Sequence, residues 1–403
     1  MKKMRFLVTM GSLVLVLVLI ALPFMVDRAK PALAASPAWQ WPKLVSVGTP
    51  QLGTAQYANT LAWGSLMEKD TKMSVRLSSL AGTVDRYKVV KSGAVTFVTI
   101  WPSDSKFGLE ATGGYASEDA GPFEMRVFWT SNIAYWGFPV LANSPVKTLQ
   151  DLKGRKIAWY EGSPMFVAAV RAALAYAGLS TTDVTVVPVG DYAHNIKGIS
   201  ERRFDTAFVC PSSGLTYELE GTPGGIRWLP ISTPKENPQG IARWLKMNPV
   251  ETFGKCSIGV KSSIGIHMVL QPQYYVTRAD TDPELTYRMT KWIANNYTRY
   301  KDANVAAKTL DLNTFKESVV EKIFIPVHDG VLRYLKEKNM WSAEDEARQS
   351  KYIALIKQYV EAYDTAIKTA KEKGMATNHK NKQWVELWEK YKKERNLPPF
   401  STP

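Results

Sequence analysis

Glycines and small hydroxyl residues recur in this chain where a strand gives way to a helix. The first case is VSVGTPQLGTAQYANTL, residues 45 to 61, where a β-branched run meets Gly48, Thr49, Pro50, Gly53 and Thr54 before a helical pattern begins. The first-turn N–H groups of a helix lack intrahelical partners and sit at the positive end of its dipole, so they can seat an anion. A nucleotide P-loop needs G-x-x-x-x-G-K-[ST], in which the Lys reaches the outer phosphates. The spacing from Gly48 to Gly53 fits, but Thr54 stands where the Lys belongs. A smaller, less charged anion such as a carboxylate suits Thr49, Thr54 and Tyr57 with the N–H groups of Gly53 and Thr54. Thr54 as a plain N-cap is the competing reading.

Gly82 and Thr83 offer a second such helix start, and Ser163, Ser212 and Ser213 supply others; each is equally an N-cap candidate. Trp101 follows a strand and could wall a ring or an aliphatic chain, or pack at a hinge. Glu161 could pair with an ammonium group, or be a solvated acid favoured by a helix dipole. Cys210 lies near these positions, yet no His or acid is arranged to activate it as a nucleophile. Four histidines, His194, His267, His328 and His379, show no metal-ligand spacing with each other or with cysteine, so neither a metal nor a cofactor is expected.

The elements that would hold these residues alternate. Leu44–Gly48, Met73–Ser79 and Ala94–Ile100 read as strands, with helical patterns over Thr54–Lys69 and Thr83–Lys91. A second series follows. Arg155–Trp159, Val184–Val189, Asp205–Cys210 and Ile226–Ile231 read as strands, with helices over Ser163–Ala177, Asp191–Ser200 and Ser212–Glu220. Alternation of this kind predicts two parallel-sheet units. Met125–Thr130 and Tyr135–Ala142 are extended stretches that could cross between them, and Met268–Thr277 could cross back. After Asp282 the chain reads as helix, including Ala343–Lys373. The fold class expected is α/β, two-lobed, with two hinge crossings and a helical C-terminal extension. Residues 40–135 with 268–403 would form lobe I, and 143–262 lobe II. In open α/β sheets ligands bind beyond the carboxyl ends of strands. The loops Thr49–Thr54, Leu80–Thr83, Trp101–Asp104, Tyr160–Ser163 and Cys210–Ser213 would therefore face one cleft.

Lys2, Lys3 and Arg5 precede an apolar run from Phe6 to Val26, and Ala32-Leu33-Ala34 follows as an A-x-A cleavage pattern. This reads as a bacterial export signal over residues 1–34, with an uncleaved anchor as the alternative. The net charge is +14, and removal of residues 1–34, with five basic residues and one acid, leaves +10. An exported basic chain is expected to meet an anionic solute, a membrane surface or an acidic partner rather than nucleic acid. Much of the excess lies late, from Lys368 to Arg395, where a solvated helix face accounts for it. Cys210 and Cys256 would face an oxidising compartment, so a disulfide between them is open.

Longer segments carry a resemblance. The opening glycine-threonine loop, SSLAGTVDRYKVVKSG, TLQDLKGRKIAW, RADTDPELTYRMTKWI and IPVHDGVLRYLKEK resemble the extracytoplasmic solute-binding receptors of TRAP transporters, of the TAXI class. The last segment, similar to a P-x-H-P-G-A-x-R-Y motif, is the most specific. The resemblance implies a two-lobed periplasmic binding-protein fold of type II, a small organic acid or amino acid ligand, and membrane symporter subunits as partners. It departs from the family at several points. Ala81 replaces the first glycine of T-G-G-S-x-x-N, Arg86 stands where Asn is usual, and Asp329 replaces Pro. Trp101 at a strand tip that is commonly polar makes aromatic or larger organic acids credible. Two rivals remain: a receptor of an ATP-driven importer, and an enzyme on the same architecture.

Overall fold

Strand β1 (Leu44–Thr49) forms where β-branched residues alternate into a buried face, and it lies between two parallel neighbours, β2 (Ser74–Ser79) and β3 (Phe97–Ile100). The crossovers are α1 (Ala55–Thr71) and α2 (Thr83–Lys91). The computed structural model describes residues 39–401, so the export-signal reading of residues 1–34 lies outside the described residues. Among the described residues no helix is long and apolar enough to cross a membrane.

Parallel pairing ends at β3. Strand β4 (Met125–Trp136) and strand β10 (His267–Arg278) form an antiparallel ribbon, and β10 also pairs antiparallel with β3. The sheet order is β2-β1-β3-β10-β4, with β9 (Thr252–Lys255) added on β10. The expected parallel sheet is thus mixed. The two crossings are one continuous ribbon, paired from Met125↔Arg278 to Trp136↔Val269, with register shifts at Gln273/Tyr274 and Tyr275/Val276. Such irregularities bend a strand pair locally. The helix α3 (Pro102–Leu109) begins directly after Trp101, where a loop was expected; Pro102 at its first turn suits a helix start.

The second lobe is built on two short ladders. Strand β5 (Phe138–Leu141) pairs antiparallel with β8 (Ile226–Leu229), and β6 (Lys156–Trp159) pairs parallel with β7 (Thr185–Pro188). The stretch Asp205–Cys210, expected as a strand joining them, makes only the bridges Ile157↔Thr206 and Gly137↔Val209. Pro139 in the neighbouring β5 has no N–H to donate, and the Thr206 hydroxyl donates to its carbonyl at 2.7 Å instead. Helices α4 (Pro164–Tyr176), α5 (Tyr192–Ser200), α6 (Gly214–Glu220) and α7 (Pro238–Met247) complete this lobe. Its core gathers Trp136, Phe138, Phe166 and Phe208, and Trp101 enters that core from the first lobe.

The chain then runs through α8 (Pro283–Asn295), the short turns α9 (Tyr297–Tyr300) and α10 (Leu312–Thr314), α11 (Asp329–Glu337), α12 (Ala343–Glu372) and α13 (Lys382–Glu394). A capping box of Ser342 and Asp345 starts α12. The last helices clasp the first lobe. The Trp384 and Trp388 indoles donate to the Ala116 and Glu110 carbonyls at 2.9 and 2.8 Å, and the Phe400 N–H donates to the Glu110 carboxylate at 2.7 Å. Their late lysines lie largely on the exposed face, some paired with acids such as Glu118 and Glu389. His328 caps α11: its Nδ1 meets the Gly330 N–H at 3.3 Å and the Thr286 hydroxyl at 2.8 Å. That geometry gives it a structural role.

Candidate ligand-binding cleft

At the carboxyl end of β1 the chain turns through Gly53, whose positive φ of 88° suits glycine, and enters α1 with Thr54 as N-cap. Thr54 Oγ1 accepts from the Tyr57 N–H at 3.3 Å and donates to the Gln51 carbonyl at 2.8 Å. Its hydrogen bonds are therefore local, as an N-cap requires. Across the cleft the Ser213 hydroxyl, at the start of α6, donates to the Gly53 carbonyl at 3.0 Å. In the amide orientation its partners favour, Gln51 accepts from the Tyr192 and Ala193 N–H groups at 3.1 and 3.0 Å, at the start of α5.

The second helix start meets its counterpart in the same way. The Thr83 N–H at the head of α2 donates to the Gly162 carbonyl at 3.1 Å, and the Thr83 and Ser163 hydroxyls lie 3.3 Å apart. Thr83 Oγ1 and Tyr115 OH donate to Asp104 Oδ1 at 3.1 and 2.9 Å, and the Met165 N–H in the first turn of α4 lies beside this carboxylate. Burial raises the Asp104 carboxyl to about 6, against the pull of the Tyr115 hydrogen bond and the Arg86 charge. Tyr160 OH donates to the Ala81 carbonyl at 2.8 Å, and burial raises this phenol to about 12, so it is a neutral donor. The helix starts of one lobe are thus satisfied by groups of the other.

These contacts enclose a cavity of about 20 Å³, room for about one water molecule. Its wall carries Pro50, Gln51, Thr54, Ala55, Gln56 and Ala81 from the first lobe with Trp101 and Trp136, and Tyr160, Ser163, Phe166, Tyr192, Cys210 and Ser213 from the second. The rings form a cluster: Trp101 lies 6.1 Å from Trp136 and 6.4 Å from Phe166, edge to face. Beneath them Gln273 of the ribbon presents its amide oxygen to Gln56 and to both indole N–H groups in the favoured orientation. All the strand-end loops named from the sequence contribute to this one wall or lie directly behind it.

Each sequence candidate has a definite place. Thr54, Trp101, Ser163 and Ser213 line the cavity, and Gly53, Gly82 and Thr83 stand at the lobe-to-lobe contacts around it. Thr49 is buried at the end of β1 with its hydroxyl unpartnered, and it does not line the cavity. Tyr57 does not line the cavity, and the Ser212 hydroxyl lies 3.3 Å from Cys210 Sγ. Glu161 is exposed and faces a separate groove of about 460 Å³ that also holds Trp159, Arg171 and His379. Trp101 lines the cavity and packs on Trp136 and Phe166. Cys210 and Cys256 are free thiols. The disulfide left open by the sequence is not formed in this structure; Cys210 Sγ lies 3.3 Å from the Ser212 hydroxyl, and Cys256 Sγ meets the Ile258 carbonyl at 3.3 Å and the Ser263 hydroxyl at 3.5 Å. Burial raises the Cys210 thiol to about 11, away from thiolate chemistry.

Sequence reading missed Gln51, Gln56, Trp136, Tyr160, Phe166, Tyr192 and Gln273 as site residues. Tyr160 and Tyr192 stand where β6 ends and α5 begins, a position that strand-end reasoning could have flagged. Trp136 and Gln273 needed the pairing of β4 with β10. Behind Trp101 and Ala81 lies Arg86, fully buried. Its Nε donates to the Thr99 carbonyl at 3.1 Å, and its Nη1 donates to the carbonyls of Leu80 and Ala81. Burial draws its guanidinium below the ordinary value, with Tyr160 and Asp104 opposing.

A family model described as the NMT1-like family matches residues 47–338. The chain belongs to the NMT1-like family. The matched NMT1-like segment includes every cleft loop and both ribbon strands and ends before α12, so residues 339–401 lie outside it. No curated protein matches the chain significantly. Among solved structures, the periplasmic aliphatic sulphonate binding protein SsuA of Escherichia coli is 15% identical, covering 79% of this chain and 87% of that one, with a TM-score of 0.39. A protein of Bordetella bronchiseptica RB50 is 18% identical, covering 78% and 89%, with a TM-score of 0.43. An ancestral arginine-binding protein bound to arginine is 15% identical, covering 66% and 97%, with a TM-score of 0.42.

Proposed function

We propose that this NMT1-like protein is an extracytoplasmic solute receptor that captures a small organic acid or amino acid carboxylate between its lobes and delivers it to the symporter subunits of a TRAP-type transporter. The observation that carries this reading is the convergence of α1, α2, α4, α5 and α6 starts on one aromatic-walled cavity crossed by a single two-stranded ribbon. Helix starts favour anions, and the rings supply a surface for an organic body. Lobe I comprises residues 40–135 with 268–403, and lobe II residues 143–262. The ribbon bends at its register shifts, and the lobe-to-lobe bonds of Thr83, Ser213, Tyr160 and Gln51 exchange for bonds to the solute. Closure is then favoured by the contacts a solute adds in the closed state alone. The export-signal reading of residues 1–34 supports a periplasmic location, and the resemblance of the quoted segments to the TAXI class supports the TRAP assignment.

A thermal-shift screen of the purified protein tests this reading, with dicarboxylates, 2-oxo acids, acidic and neutral amino acids and aromatic carboxylates. A ligand specific to the native state raises the melting point as RT ln(1 + [L]/Kd). A shift confined to carboxylates supports the reading. No shift from any class, in folded protein stripped of copurified solute, contradicts it.

A further inference from the structure

The cavity wall is neutral: among its residues there is no Lys, Arg, Asp or Glu. A carboxylate buried there without a cation would lose its hydration for uncharged donors alone, which is costly. One cation lies directly behind the wall. Arg86 is 1% exposed, and its guanidinium stacks on Trp101 with 5.1 Å from Cζ to the ring centroid. Its Nη1 and the Tyr160 hydroxyl share one acceptor, the Ala81 carbonyl, so the charge sits one carbonyl away from two wall residues. Nε and Nη1 are spent on backbone carbonyls, whereas Nη2 is buried with no partner. A purely structural tie between β2, β3 and the Ala81 loop accounts for Nε and Nη1. It leaves a buried, positively charged donor unexplained, and buried polar groups are ordinarily paired. Among the described residues Arg86 forms no ion pair; Asp104, whose Oδ2 is likewise buried without a partner, acts on it at longer range and opposes the fall in its basicity.

We infer that Arg86 is the anion-recognising residue of the cleft, its Nη2 taking one carboxylate oxygen of a monocarboxylate whose apolar body lies among Trp101, Trp136, Phe166 and Tyr192. This inference rests on the receptor reading and names its substrate class. A charge-assisted bond to guanidinium selects carboxylate over its neutral amide. A second carboxylate would meet rings and amides with no cation, so the site discriminates against dicarboxylates.

The test is calorimetric titration of the full-length protein with phenylacetate, 4-methylpentanoate, phenylacetamide and succinate, repeated with Arg86→Gln and Arg86→Lys. The wild type is expected to bind a monocarboxylate at least tenfold more tightly than phenylacetamide or succinate. Arg86→Gln is expected to reduce the carboxylate-to-amide preference to within threefold, while Arg86→Lys keeps the preference at lower affinity. An unchanged preference in folded Arg86→Gln overturns the role of Arg86 and leaves the receptor reading intact. If Arg86→Gln fails to fold, wild-type binding of succinate as tight as that of phenylacetate overturns the inference. A wild type that binds none of these or any other carboxylate overturns the receptor reading with it.

Discussion

The boundary between the two lobes and the boundary between the C-terminal helices and the first lobe are built from different materials. Between the lobes, Trp101 is the large apolar contact, packed on Phe166 and Trp136, and around it single hydrogen bonds link helix starts to opposing carbonyls and hydroxyls, as Thr83 does with Gly162 and Ser213 with Gly53. At the C-terminal boundary, Trp384, Trp388, Tyr359, Tyr363 and Phe400 are buried in mutual ring contacts, and both indoles are anchored on the Glu110–Ala116 segment. The first boundary can part and re-form because each bond has a replacement in water or solute. The second buries large apolar areas that no solute replaces. In the proposed reading a joint that parts and a fixed clasp thus sit on either side of α3, with Asp104 in the helix facing the cleft and Glu110 at its C-terminal end facing the clasp.

This contrast can be broken most forcefully at the clasp. Trp388→Ala removes a fully buried ring and its anchor on Glu110, with an expected cost of about 3–5 kcal/mol in denaturant unfolding. The folded fraction should still bind solute as the wild type does; a loss below about 1 kcal/mol would show the clasp to be loosely packed. Gly121→Ala attacks the same boundary by crowding. A Cβ there would lie 2.0 Å from the Tyr363 ring, and overpacking of this kind costs about 1–3 kcal/mol.

At the joint the expected effects are smaller and depend on pH. The Asp104 carboxyl is raised to about 6 by burial in the folded protein, against 3.8 when it is free. The folded state therefore binds the proton more tightly, and the stabilisation this group contributes is full below pH 3.8 and lost as pH rises through about 6. The change across that window should be roughly 1–3 kcal/mol, and Asp104→Asn should flatten it in melting curves taken at successive pH values. A variant with the wild-type slope would assign the titration elsewhere. Ser213→Ala removes one lobe-to-lobe bond, worth about 0.5–1.5 kcal/mol. It should enlarge the radius of gyration of the solute-free protein in small-angle scattering while leaving unfolding of the clasp unchanged. An unaltered radius with an altered clasp would reverse the assignment of the two boundaries.

Local signals made the first lobe legible. Thr83–Lys91 is the helix expected, and β1 and β2 fall within a residue of expectation, because their hydrophobic periods and glycine breaks are local properties. The antiparallel insertion of β10 between β3 and β4 was not legible, since strand partners distant in sequence leave no mark on either segment. The same limit hid Gln273 and Trp136, which join the cleft only through that pairing. Asp205–Cys210 misled for the opposite reason. Its β-branched and aromatic residues have strand propensity, but Pro139 in the adjoining strand interrupts the ladder. Thr54 and Ser163 were found at strand ends by their residue types alone, whereas Glu161, one turn from Ser163, faces another groove because the chain direction at Gly162 decides it.

The central claim is that a carboxylate solute draws the two lobes together. The direct measurement is a spin-label distance between Leu61→Cys on α1 and Val186→Cys on β7, both exposed positions on opposite lobes, in protein with and without the carboxylate that shifts its melting point. The account predicts a broad or longer distance without solute that collapses to one short distance at saturation. A single distance that stays the same while calorimetry shows the solute bound would contradict it.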